Sequence, residues 1–107
     1  MGLYLMQVAY TSSAVKALVG KPQARKDVVE KVLASVGGKL VSFHFCFGDY
    51  DVVLIADVPS NDAAAAVALA TSATGAIAKF HTTVLMTPDE GVSAMTKAGK
   101  VSYTPPA

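Results

Sequence analysis

The side chains in this sequence that stand out as candidates for chemistry fall mainly in one short stretch. Between Ser42 and Asp51 stand a hydroxyl (Ser42), an imidazole (His44), a thiol (Cys46), a phenol (Tyr50) and the carboxylates Asp49 and Asp51. The second imidazole, His81, lies in a later segment. His44, set among Phe43, Phe45 and Phe47, is the residue type for a pocket base or a ligand to heme or metal, since imidazole changes charge near neutral pH. Tyr50 and Asp51 suit the mouth of a pocket, where they would bind a polar group or move a proton. The catalytic candidates are therefore His44, Asp51 and Tyr50, and the ligand-binding candidates are Ser42, His44, Tyr50, Asp51 and His81. Each has a structural alternative. Asp49 supports a turn, Tyr50 packs its ring on a sheet with its hydroxyl on backbone or water, and His44 is a hydrogen-bonded interface histidine. Nothing beside Cys46 in sequence lowers its pKa, so it reads as buried and inert. Met6, Met86 and Met95 read as packing residues. No P-loop, Gly-x-Gly-x-x-Gly, His-Glu-x-x-His or Cys-x-x-Cys occurs. No cofactor and no metal site is expected.

These residues need elements to position them. Leu3 to Tyr10 is a mostly apolar run that predicts a buried first strand. Thr11, Ser12 and Ser13 offer caps for a short helix over 14–19, which Gly20-Lys21-Pro22 ends. Pro22 suits the first turn of a second helix carrying a stripe of Val28, Val29, Val32, Leu33 and Val36, with Gly37-Gly38 as its stop. Lys39 to Phe47 predicts a strand with Val41, Phe43, Phe45 and Phe47 on one face and Leu40, Ser42, His44 and Cys46 on the other. Gly48-Asp49 closes a hairpin onto a strand over 51–58. Ser60 caps an alanine-rich helix ending near Gly75. Ala78 to Met86 alternates Phe80, Thr82 and Val84 against His81, Thr83 and Leu85. Thr87, Pro88 and Glu90 then start a short helix through a capping box, and the tail from Tyr103 is an extended arm.

A simple hairpin closed by Gly48-Asp49 pairs Phe47 with Tyr50, Cys46 with Asp51 and His44 with Val53. Paired residues share a face, so Asp51 is expected beside His44, and Tyr50 beside the phenylalanines. The order of elements implies a ferredoxin-like βαββαβ plan in one antiparallel α+β sheet, with strands one and three central. The two histidines then lie on opposite edges, roughly 14 Å apart over three strand spacings, too far to share a metal within one chain. The helices cover one sheet face, and the other is expected to be apolar and bare, to be covered by a second copy.

The bulk composition agrees. The chain has 107 residues, the size of a single domain over 1–107 with a core at 3–90 and a C-terminal helix and arm at 91–107. It is 52% hydrophobic and only 16% charged, against about 25% charged in ordinary domains. Surplus apolar surface calls for an oligomer interface or an apolar pocket. Net charge is +1 and the basic residues are scattered, with Arg25-Lys26 the only adjacent pair; no nucleic acid is expected. The single cysteine allows no intrachain disulfide. No apolar run is long enough for a membrane span, and the start lacks a basic n-region, so a cytoplasmic protein is expected, with no membrane partner.

The segment Phe47-Gly48-Asp49-Tyr50-Asp51-Val52-Val53 resembles the Gly-x-Tyr-Asp signature of the GYD-domain family. Gly37-Gly38-Lys39-Leu40, Pro59 and Asp62 with the following alanine run, Gly75, and the Thr-rich last strand resemble the family pattern as well. Phe80-His81-Thr82-Thr83 lacks the glutamate that many members carry there, and the extension after Gly91 is longer than the core pattern needs. The family is similar to the dimeric α+β barrel proteins, and its biochemical role is largely undefined. The resemblance implies a homodimer of undefined biochemical role; the apolar excess, the bare second sheet face and the thin supply of catalytic groups point to binding of a small apolar or aromatic molecule. The alternative is a cofactor-independent monooxygenase- or isomerase-like enzyme using His44, Tyr50 and Asp51 in an apolar pocket. A third reading is an assembly protein using the Tyr103–Ala107 arm.

Overall fold

Alternation along the strands builds the sheet. A computed structural model of the protein describes residues 2–107. Its elements are β1 (Gly2–Tyr10), α1 (Ser12–Gly20), α2 (Lys26–Ala34), β2 (Lys39–Phe45), β3 (Val52–Val58), α3 (Asn61–Ser72), β4 (Ile77–Val84) and α4 (Pro88–Ala98). The result is an α+β fold with a four-stranded antiparallel open sheet, ordered β2-β3-β1-β4, and four helices. Strands one and three are central, as their continuous apolar runs require.

Tyr4, Met6 and Val8 of β1 and Val52, Leu54, Ala56 and Val58 of β3 are buried against Leu33 of α2 and Ala64 and Val67 of α3. Alanine-rich α3 has little side-chain bulk and lies against β4 and β3, while α2 lies against β2. The caps are those the sequence implies. Thr11 accepts from the Ala14 amide, Ser60 from Ala63, and Thr87 and Glu90 form a reciprocal capping box on α4. Gly37 leaves α2 at φ 78°, a left-handed angle that glycine adopts without strain.

Four expectations change. Pro22 is not in the first turn of α2. The helix starts at Lys26 because Arg25 holds φ 67°, and a left-handed residue cannot sit inside a right-handed helix. The second strand stops at Phe45 rather than Phe47, whose side chain is fully exposed. Its faces are also redistributed. A bulge between Leu40 and Ser42 places Leu40 opposite Ala56, with Phe43 and Phe45 opposite Leu54 and Val52, and leaves exposed Val41 unpaired. One extra residue reverses the alternation downstream of it. The bare face, finally, is mixed. Leu3, Leu5, Val53 and Ile55 share it with Gln7, Ser42, His44, Asp57, Lys79, His81 and Thr83.

Candidate functional site

The β2–β3 hairpin holds most of the candidates, and backbone hydrogen bonding sets its shape. The ladder ends at the Phe45–Val52 pair. Beyond it the Cys46 amide donates to the Asp51 carbonyl at 2.9 Å, which leaves Phe47–Tyr50 as the loop. Gly48 turns it at φ 135°. The Asp51 amide donates to the Val8 carbonyl at 2.8 Å, and the Asp51 carboxylate accepts from the Tyr10 amide at 2.8 Å. Asp51 thus ties the hairpin to the end of β1, with the charge-assisted bond at the stronger end of such interactions. The Cys46 thiol donates to the Tyr50 carbonyl at 3.1 Å. The Lys79 ammonium lies 5.1 Å from the centroid of the Tyr50 ring, a cation–π distance.

Two further groups join this cluster. Burial raises the Tyr10 phenol above its usual pKa; the Arg25 guanidinium opposes that rise and the Asp51 charge adds to it. Beside them Val15 and Leu18 of α1, with Phe45 and Phe47, wall a depression of about 370 Å³ that Tyr10 and Asp51 also line.

The bare face holds the remaining candidates in two rows. Ser42, Ile55, Leu5 and Thr83 follow one another across β2, β3, β1 and β4, and His44, Val53, Gln7 and His81 form the next row. The histidines therefore occupy opposite edges of a single row. His81 Nδ1 is 3.5 Å from the Thr83 hydroxyl. No cluster of three potential metal ligands occurs among the described residues.

The structure divides the sequence candidates. Ser42, His44 and His81 share the bare face. Asp51 instead lines the depression beside α1 on the helix-bearing side, with its carboxylate engaged by backbone. The expected His44–Asp51 pair is accordingly not assembled within the chain, because β2 ends before the hairpin and Asp51 bends in to close β1. Tyr10, Arg25, Lys79 and Gln7 were not evident as neighbours of the candidates. Tyr10, as the polar end of an apolar strand, carried the one usable signal; the position of Lys79 follows only from sheet register.

A third feature lies inside the domain. Between α2 and α3, which do not pack along each other, a cavity of about 70 Å³ opens over the sheet. Met6, Val29, Leu33, Leu54, Val67 and Phe80 wall it, and its one hydroxyl, Thr71, donates to the Val67 carbonyl at 2.8 Å. Such a site can take an apolar group but has nothing with which to move a proton.

The GYD domain matches residues 4–95, so the chain belongs to the GYD domain family. No curated protein matches the chain.

Proposed function

We propose that this member of the GYD domain family works as a homodimer, paired through its bare sheet face in the manner of the ferredoxin-like dimeric α+β barrels, and that it binds a small apolar or aromatic molecule. The observation that carries the pairing is the asymmetry of the sheet: its own helices cover one face, and Leu5, Val53 and Ile55 wait uncovered on the other. Isologous pairing of that face with itself buries those side chains, while Gln7, Ser42, His44 and Thr83 supply polar partners across it.

The ligand reading rests on the apolar cavity between α2 and α3. At about 70 Å³ it is roughly half the ~150 Å³ that admits benzene in an engineered core, so an aromatic ring enters as α2 and α3 part. His44, Tyr50 and Asp51 lie outside its walls. This favours binding over the monooxygenase- or isomerase-like alternative, which needs a proton-transfer group against the substrate. A cytoplasmic setting belongs to the reading, supported by a lone free cysteine and by the absence, among the described residues, of any helix long and apolar enough to cross a membrane.

Indole titrated into labelled protein tests the ligand half. The expected result is a saturable shift of the Met6 and Leu54 methyl resonances, abolished by Val67→Phe, which fills the cavity. Absence of any shift at millimolar indole, or shifts confined to the surface, overturns it.

A further inference from the structure

Helix α4 has the build of a packed element, yet among the described residues no other element packs along its length. It is 11 residues long, with a complete capping box, Pro88 in its first turn, acidic residues at its start and Lys97 near its end. Yet every residue of it is exposed except Gly91, which is half-buried, and no other element lies along it. Helices shorter than about 12–15 residues are marginal in water even when alanine-rich. This one contains Gly91, Val92, Ser93 and Thr96, all weak helix formers. Val92 and Met95, 59% and 73% exposed, form an apolar stripe with Pro88 and Gly99.

The direction of departure names the missing partner. The first turn of α4 abuts Leu3, Asp57 and Leu85, residues of the bare face, around a depression of about 400 Å³. The helix therefore leaves the end of the sheet on the uncovered side. With α4 and the exposed segment 99–107 beyond the sheet, the chain has a radius of gyration of 17.1 Å, against about 13 Å for a compact domain of this length. At 1.5 Å per residue it reaches about 16 Å, enough to cross the ~10 Å between packed sheets. At its base Asp57 Oδ1 is buried and accepts no hydrogen bond from the described residues.

We propose that α4 is a clasp: its Val92–Met95 stripe packs on a second copy of this chain seated against the bare sheet face. The proposal rests on the homodimer reading above and adds the element that locks it. The test is amide hydrogen exchange of residues 89–98, followed across a dilution series alongside light scattering. The clasp requires protection that appears with the dimer and disappears with the monomer. Met95→Asp should raise the dimer dissociation constant tenfold or more, and Ser93→Asp, on the opposite side of the helix, should leave it unchanged. A dimer whose α4 amides exchange freely, or whose dissociation constant ignores Met95→Asp, overturns the clasp and leaves the sheet pairing standing. Protection that persists in the diluted monomer means that α4 packs on its own chain, and it also overturns the clasp. A chain that stays monomeric at every concentration removes both.

Discussion

On the helix-bearing side of the sheet Met6, Ala56 and Val58 are completely buried; on the opposite face of the same strands Leu5, Val53 and Ile55 are only partly buried. The backbone and its hydrogen bonds are common to both faces. The fully buried residues of the first face include none that is charged or polar, because α2 and α3 exclude water from them. The other interleaves Leu5, Val53 and Ile55 with Gln7, Ser42, His44 and His81. A mixed surface of that kind tolerates both water and a partner, as separable interfaces do, whereas the helix-bearing face tolerates only the folded state.

The sharpest way to break this contrast is to cut a methylene-rich side chain from each face. Leu33→Ala, at a site with no exposure, should cost about 2–5 kcal/mol and lower the melting temperature of monomer and dimer alike. Leu5→Ala should cost the monomer far less. Thermal melts of the two variants at low concentration check this, and equal losses would mean that the faces do not differ in the isolated chain.

Effects at the hairpin that joins the faces should be smaller. Gly48→Val forces a β-branched residue to φ 135°, a strain of about 1–3 kcal/mol, although a Cβ there meets no neighbour. Cys46→Ala loses a half-buried thiol and should cost about 1 kcal/mol or less. Coincident urea midpoints for the two variants would refute the strained turn. Asp51→Ala removes the carboxylate that holds the Tyr10 amide and should cost about 1–3 kcal/mol. The loss should appear as faster amide exchange at Tyr10 and Thr11, with the β2–β3 ladder still protected.

The smallest expected effect is alkaline. The Tyr10 pKa is raised in the fold, chiefly by burial, so its neutral form is favoured. Its stabilising share is intact below the unfolded pKa near 10 and is lost as pH climbs toward the folded value. Tyr10→Phe should therefore flatten the fall in stability above about pH 10 and change little at neutrality. An unchanged alkaline limb in that variant would place the phenol in water.

Much of the scaffold is legible in the sequence because it depends on local chemistry. The Thr87–Glu90 capping box, the Ser60 cap, Gly37 beyond α2 and the central runs of β1 and β3 all declare themselves within a few residues. The failures come from single residues whose conformation has no local signature. Left-handed Arg25 shortens α2, and the bulge at Val41 moves Leu40 to the helix-bearing face. The candidate site was legible as an inventory rather than as an assembly. Its residue types cluster at the Gly48–Asp51 turn, but where Asp51 points is decided by the Tyr10 amide, a contact between distant segments. The neighbours Arg25 and Lys79 arrive only with the folded sheet.

The central claim is that the bare face belongs to a second copy of this chain. Light scattering of the wild-type chain and of Ile55→Asp at micromolar concentration tests it most directly. Pairing through the bare face requires about twice the 11.0 kDa of one chain for the wild type, and a single chain's mass for Ile55→Asp with its circular dichroism unchanged. A wild-type protein that scatters as one chain, or an Ile55→Asp variant that remains a dimer, would contradict it.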